Sequence, residues 1–504
     1  MMLKTNSSHR ILFNTIAMYL KTIIAVFVGL FSTRYVLEAL GIDDFGISAL
    51  VGSVIGLLGF LNSSMAEATQ RFLSYHRTKN DINSVFTTSV IIHFIIGIFF
   101  VVMLEIGGLL FLDTLNINVE RKYMAHIVFH CMVASTFFSV ISTPYTALIN
   151  AKEDMFFSAF ISILESFLKL AIAFCLFHIP FDRLGTYAFS MMCLRILLRI
   201  IQRVLCKIRY PKIGFSHKSI DKSLIFKMLS FSSWNVFDSI CYIFKTQGLS
   251  ILLNMFFGTA LNAVLGMANQ VRTQVATIST SLSQASAPRI VSGISEQNVK
   301  QAMTLAISTC KFAFLLVSLL GIPLILNIDY VLSVWLKKVP VYLPIFCCLA
   351  LANEMIKNLT RGLYHLIIGK GFIRGYKIAI GLAELITFPI AYILLKMNYH
   401  PYSIYVGLIT SDILIFISRL YFAHRHVNLN VPHYLKEISK VLVTVITAFL
   451  CIWATMPLVT SHSPLATLII TTTLSSALML TGFWLALDPK EREFAKGLWK
   501  KFIS

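Results

Sequence analysis

Apolar stretches of about twenty residues recur from one end of this 504-residue chain to the other, and no polar segment longer than about twenty residues separates them. An α-helix needs about 20 apolar residues to cross a hydrocarbon core about 30 Å thick. On that criterion the pattern predicts fourteen spans, roughly 11–37, 45–68, 84–111, 123–149, 156–179, 185–206, 227–257, 259–286, 301–327, 341–368, 376–396, 403–423, 441–459 and 465–487. Turn residues mark the breaks at Gly41-Ile42-Asp43-Asp44, Ile179-Pro180, Tyr210-Pro211, Phe257-Gly258 and His400-Pro401. The stretch after Arg10 is too long for the apolar region of a signal peptide and lacks a small-residue cleavage site, so it reads as a retained first helix. The pattern is that of an all-α polytopic membrane protein, and it excludes a soluble enzyme, a disordered chain and a coiled coil.

Composition agrees: 57% of residues are hydrophobic and only 13% charged, about half the charged fraction of a soluble domain. The net charge of +20 does not make a nucleic-acid binder, because the basic residues are scattered through loops between apolar spans. Alternate loops differ sharply. One set holds 24 basic residues, from Lys4 and Arg10 to the tail with Lys490, Arg492, Lys496, Lys500 and Lys501. The other set holds six: Arg121, Lys122, Arg183, Lys337, Lys338 and Lys396. By the positive-inside rule both termini are cytoplasmic. The nine cysteines all lie in or at the ends of apolar spans, with no CxxC pair and no zinc-type spacing, so neither a disulfide framework nor a metal site is expected.

The two halves echo each other. Gly41 opens the second span, which closes near Arg71; Gly258 opens the eighth, which closes near Arg289, and a one-residue gap aligns the two stretches. Both copies run from the outer side inward, as in a parallel repeat about an axis along the membrane normal. The expected organisation is an N-terminal six-helix lobe over 1–210, a C-terminal six-helix lobe over 223–426, and two extra helices with a cytoplasmic tail over 427–504.

Thirteen basic residues fall in or at the ends of spans, against seven acids: Glu67, Glu105, Glu165, Asp238, Glu354, Glu384 and Asp412. A charge at the membrane centre costs on the order of 2.5–3.5 kcal/mol, so these side chains are expected to face a bundle interior, a partner or the interface. Glu165 and Lys169, four apart, read as a neutralising pair, and Arg203 and Lys227 can reach an interface. Other positions form stripes: Asn235, Asp238, Tyr242 and Lys245 on the seventh helix; Asn269, Arg272, Thr273 and Thr280 on the eighth; Glu354, Lys357, Asn358, Arg361 and His365 on the tenth, along about 16 Å of one continuous face. Asn14, Lys21 and Ser32 line up on the first helix, and Arg195, Arg199 and Gln202 descend from the middle of the sixth. The stripes predict a hydrophilic, cationic cavity between the halves; interhelical hydrogen bonding is the structural alternative. The chain has no GxxxxGK[ST], HExxH, GxSxG or GxGxxG, so the expectation is a transporter without an ATPase motif rather than an enzyme, and no cofactor.

Several stretches resemble the polysaccharide-export branch of the multidrug/oligosaccharidyl-lipid/polysaccharide (MOP) flippase superfamily. They are Arg34 before Leu40-Gly41-Ile42-Asp43-Asp44-Phe45-Gly46, then Ala68 to Arg71, Pro144-Tyr145-Thr146-Ala147-Leu148-Ile149-Asn150-Ala151, Phe231-Ser232-Ser233-Trp234, Pro288, and Val334-Trp335-Leu336-Lys337-Lys338-Val339-Pro340. The resemblance spans nearly the whole chain, in motifs of small and apolar residues. It implies the MATE-like MOP fold, with a V-shaped pair of six-helix lobes that alternate access. It also implies export of an undecaprenyl-pyrophosphate-linked oligosaccharide (an O-antigen, capsule or exopolysaccharide unit) across the bacterial inner membrane, with membrane lipids, a polymerase and chain-length machinery as partners and no nucleic acid. Fourteen helices also resemble the lipid II flippases, and Lys21 departs from the drug-exporting branch, where an acid would suit that helix. A lipid pyrophosphate suits embedded cations. The candidates for its site are Lys21, Arg272, Lys357 and Arg361, with Lys245 and Arg195 in reserve and Arg34 placed to assist release; Asp238 and Glu354 are the candidates for ion coupling. Two rival expectations remain. A cation-coupled drug or metabolite antiporter on the same fold would depend on Asp238 or Glu354, and a membrane glycan polymerase or ligase on an outer-loop residue such as His400 or Asp329.

Overall fold

The computed structural model describes residues 7–57, 59–75, 82–152, 154–216, 222–295, 298–370, 373–459 and 463–486, and every regular element among them is helical. The chain packs as two compact units, Met1–Ala263 and Val264–Ser504. Eleven stretches among the described residues are long and apolar enough to cross a membrane. Three of the fourteen expected spans do not count separately, for physical reasons. The first two are the arms of one element that turns at Gly41, the eighth is too polar along its stripe, and the tenth is divided into two short helices.

Unit 1 is built from α1 (Ser7–Gly56), α2 (Gly59–Tyr75), α3 (Ile82–Phe111), α4 (Lys122–Ala151), α5 (Met155–Cys175), α6 (Arg183–Arg209) and α7 (Lys222–Phe257). Helix α1 packs on α5, α4 on α3 and α6, and α2 on α4 and α7. Gly41 divides α1 into two arms with φ +80°, and Gly258, with φ +79°, ends α7. Side chains with a Cβ rarely adopt such angles, so the two positions aligned by the internal repeat carry the same glycine-dependent turn. Beyond Gly41, Asp44 and Asp182 both bind Arg121, tying α1, α4 and the start of α6 together.

Unit 2 begins within α8 (Thr259–Ser295) and continues through α9 (Val299–Leu326), α10 (Ile328–Trp335), α11 (Leu343–Asn358), α12 (Arg361–Lys370), α13 (Ile373–Leu385), α14 (Thr387–Lys396), α15 (Ile404–Val427), α16 (Val431–Val459) and α17 (Pro464–Ala486). Helix α9 is central: α11 and α12 pack on it, and so do α16 and α17. The expected continuous tenth helix is broken between Asn358 and Arg361. Asn358 Nδ2 donates to the Glu354 carbonyl at 2.7 Å, the kind of side-chain bond that competes with a helical ladder. The Leu359 amide bonds Ile356 in a tighter turn, and at Gly362 any Cβ would lie 2.2 Å from the Ala306 carbonyl oxygen. The gap between α13 and α14 has a simpler origin, since Pro389 cannot donate to the Leu385 carbonyl one turn back.

The last two helices are joined to α9 by more than apolar packing. Phe314, Val441, Val445, Met479 and Phe483 form one core. Within it Lys311, 1% exposed, donates to Glu437 at 2.8 Å, and Lys440 closes on the same carboxylate. Removing one member of a buried pair costs up to about 3–5 kcal/mol, here reduced because the partly exposed Lys440 stays on Glu437, whereas replacing both by apolar groups of similar volume is close to neutral. Lys311→Met should therefore lower the unfolding temperature in detergent, and Lys311→Met with Glu437→Leu should recover most of the loss; equal losses in the single and double variants would refute this account.

Candidate functional site: a cationic cluster in unit 2

The broken helix places its charged residues on both sides of the break. Glu354, 1% exposed, lies in the last turns of α11. Its Oε2 accepts from Arg272 Nη1 of α8 at 3.0 Å, and its Oε1 accepts from Arg361 Nη2 of α12 at 3.0 Å and from Asn358 Nδ2 at 3.3 Å. Asn269, one turn before Arg272, accepts from that guanidinium at 3.4 Å. The Glu354 carboxylate thereby lies between two partly exposed arginines, whose side chains retain 21% and 20% of their accessible surface.

One turn along α11, Lys357 Nζ lies 3.8 Å from the carboxylate of Asp412 on α15. Two turns further on α15, Arg419 donates to Tyr376 Oη at 3.2 Å and to Thr360 Oγ1, inside the break, at 3.1 Å. His365 meets Ser283 of α8 at 2.8 Å and lies within electrostatic range of Arg361 and Arg419. Across these contacts four cations meet two carboxylates, leaving an excess of two positive charges. Such an arrangement can bind a dianion, and guanidinium forks suit phosphate oxygens.

Three of the sequence candidates, Arg272, Lys357 and Arg361, are thus brought together with Glu354. The carboxylate of Glu354 is engaged by both arginines, so it is a counter-ion within the cluster as well as a coupling candidate. Three more candidates lie in unit 1: Arg34 on the first arm of α1, Lys245 buried on α7, and Arg195 on α6. The side chains of Lys21 and Asp238 lie outside the described residues. The seventh-helix stripe is not one environment, because Tyr242 is exposed where Lys245 is buried. Asp412, Arg419 and Tyr376 were not among the sequence candidates. Only Asp412 and Arg419, two turns apart on one embedded helix, left a signal there.

In unit 1 the pair expected between Glu165 and Lys169 is present at 2.6 Å. Arg195 donates to Ser135 of α4 at 3.3 Å, Arg199 to Gln202 at 3.1 Å, and Arg203 lies over the Tyr145 ring at 5.2 Å. A groove of about 700 Å³ between α5 and α6 is lined by residues such as Leu168, Ile172, Phe189 and Leu197, with no charged side chain among its lining.

No protein-family profile and no curated protein sequence matches the chain. Solved structures do match its fold. The lipid II flippase MurJ, in an inward closed conformation, covers 94% of this chain and 98% of its own, with a TM-score of 0.65 at 14% identity. An inward-facing multidrug resistance MATE family transporter of the MOP superfamily covers 80% of this chain and 98% of its own, with a TM-score of 0.61 at 14% identity. A MOP superfamily transporter from Pyrococcus furiosus, described as having a binding pocket of reverse polarity, covers 82% and 95%, with a TM-score of 0.55 at 15% identity. The chain is all-helical, with the fold of MOP superfamily transporters.

Glu354→Gln should leave Arg272 and Arg361 without their shared counter-ion and lower stability by about 3–5 kcal/mol. Inorganic pyrophosphate should restore much of it by supplying the missing negative charge. Thermal unfolding of the purified variant with and without pyrophosphate measures both effects, and a Glu354→Gln protein as stable as the parent would contradict the assigned role.

Proposed function

We propose that the protein is a flippase that moves an anionic, lipid-linked saccharide from the cytoplasmic to the outer face of a bacterial inner membrane by alternating access. The observation that carries this reading is the excess of cations over carboxylates around Glu354, inside a MOP-type fold. A lipid pyrophosphate is the ligand class that this chemistry fits. Arg272, Lys357 and Arg361 bind its oxygens, with Glu354 and Asp412 holding the three side chains in place until the anion arrives. An undecaprenyl carrier bearing an O-antigen or capsule unit is the form that the sequence resemblance implies. The lipid II flippase structure extends over more of this chain than the MATE transporter does, 94% against 80%, which favours a lipid-linked cargo.

Transport of two negative charges outward, against no chemical fuel, is favoured by an inside-negative potential of 100 mV by about 4.6 kcal/mol, twice the value for one charge. ATP is then unnecessary to the cycle. A cation-coupled drug antiporter is the second reading, supported by the MATE neighbours. It requires an acid free to exchange ions, and the Glu354 carboxylate is shared between two guanidinium groups at 3.0 Å.

Arg272→Gln combined with Arg361→Gln should reduce flipping by roughly tenfold or more, since each charge-assisted hydrogen bond contributes about 1.5–3 kcal/mol. The lipid-linked glycan should then accumulate in the cytoplasmic leaflet, read by leaflet-selective labelling. In proteoliposomes carrying the parent protein, collapse of the membrane potential should lower the outer-to-inner ratio of the lipid. Unaltered glycan export together with altered sensitivity to cationic drugs would refute the flippase and favour the antiporter.

A further inference from the structure

Arg195, Arg199 and Arg203 recur every four residues on α6, which places their Cα atoms about 6 Å apart along one face. All three lie within a helix long and apolar enough to cross a membrane. Embedded charges face the bundle interior or a partner, and here the hydrogen-bond and ring partners are neutral: the Ser135 hydroxyl for Arg195, the Gln202 amide for Arg199, and the Tyr145 ring for Arg203. Gln202 is itself anchored, donating to Thr146 at 2.8 Å. The acid that acts on this stripe, Glu165, is bound by Lys169 at 2.6 Å. Moreover, the Nε groups of Arg199 and Arg203 are buried with no hydrogen-bond partner among the described residues. Glu165 acts on Lys169, Arg195 and Arg199 and not on Arg203, so four cations stand along these contacts against one carboxylate, an excess of three positive charges.

We propose that this stripe is a binding site for a phosphate anion inside unit 1, separate from the Glu354 cluster. The excess charge selects the ligand class. A halide or a carboxylate cancels one charge, whereas pyrophosphate or a phosphate monoester cancels two or three and offers oxygens to several forks at once. The two buried Nε donors that lack a hydrogen-bond partner among the described residues are groups that such oxygens would satisfy. The stripe also has a direction. It runs from the basic end of α6, where Lys207 lies and Arg209 is paired with Asp154 at 3.0 Å, through Arg203 and Arg199 to Arg195 near the helix midpoint, one cation per turn. The phosphate can belong to a lipid headgroup or to a molecule that is not a membrane lipid; the recognition chemistry is the same.

The test uses full-length protein in phosphatidylcholine nanodiscs and radiolabelled inorganic pyrophosphate. With the unit 2 cluster disabled by Arg272→Gln and Arg361→Gln, one saturable site should remain. Adding Arg199→Gln should weaken it roughly tenfold or more, while Arg199→Lys, which keeps the charge and loses the fork, should fall between. The unliganded Arg199→Gln protein should melt at or above the parent temperature, because Glu165, the acid acting on Arg199, keeps its pair with Lys169 when that embedded charge is removed. Displacement of the probe by phosphatidic acid in the nanodisc would identify a headgroup as the source, and its absence a phosphate from elsewhere; both support the site. Loss of all binding in the Arg272→Gln, Arg361→Gln protein would overturn the inference and leave the unit 2 reading intact. Arg199→Gln that melts lower and binds unchanged would also overturn it, assigning the arginines to packing. Binding lost entirely through Arg199→Gln, and untouched by the unit 2 substitutions, would uphold this site and remove the one in unit 2.

Discussion

A carboxyl group buried within a helical bundle is costly unless polar or cationic partners meet it there, and the geometry of unit 2 is arranged around that constraint at Glu354. Arg272 and Arg361 satisfy both carboxylate oxygens from opposite sides, one from α8 and one from beyond the break in the tenth helix. Without the break, Arg361 would sit two full turns from Glu354 on the same rigid helix. Asn358, which helps to open the ladder, also donates to the carboxylate. The residue that disrupts the helix and the residue that joins the charge cluster are one and the same.

The break itself is held from three directions. Arg419 of α15 binds Thr360, the amide of Gly362 donates to the sulfur of Cys310 on α9, and Tyr434 of α16 donates to the Leu359 carbonyl that the interrupted ladder leaves unpaired. This gives the C-terminal pair of helices a place in the site. Helix α16 is fastened to α9 through Lys311 and Glu437, so the hydroxyl that stabilises the break is carried on an anchored element. An appendage in the linear sequence becomes a structural support for the cationic cluster.

Each unit therefore concentrates positive charge by a different device. In unit 2, carboxylates organise the cations and reduce their repulsion. In unit 1, the α6 arginines rest on hydroxyl, amide and aromatic partners, and the one acid acting on Arg195 and Arg199, Glu165, is already paired with Lys169. Both arrangements hold more cations than carboxylates among the residues described above, on a fold shared with multidrug and lipid II transporters alike.

The apolar periodicity by itself determined the helical membrane class, because the length of a hydrocarbon-spanning helix leaves a signature that needs no tertiary information. It also exposed the repeat, through Gly41 and Gly258, since a positive φ restricts the residue type wherever it occurs. The polar stripe of the tenth helix was legible as residues but not as geometry. A continuous helix was the natural reading of that apolar run, and the interruption depends on Asn358, on the close approach at Gly362, and on partners more than fifty residues away. Which cations converge was likewise decided by packing. Arg272, Lys357 and Arg361 share a cluster, while Arg195 and Lys245 belong to the other unit, although all five look alike as single embedded charges. The membrane's demand for apolar surface acts locally along the chain, whereas its demand for a counter-charge is met by whichever helix folds alongside.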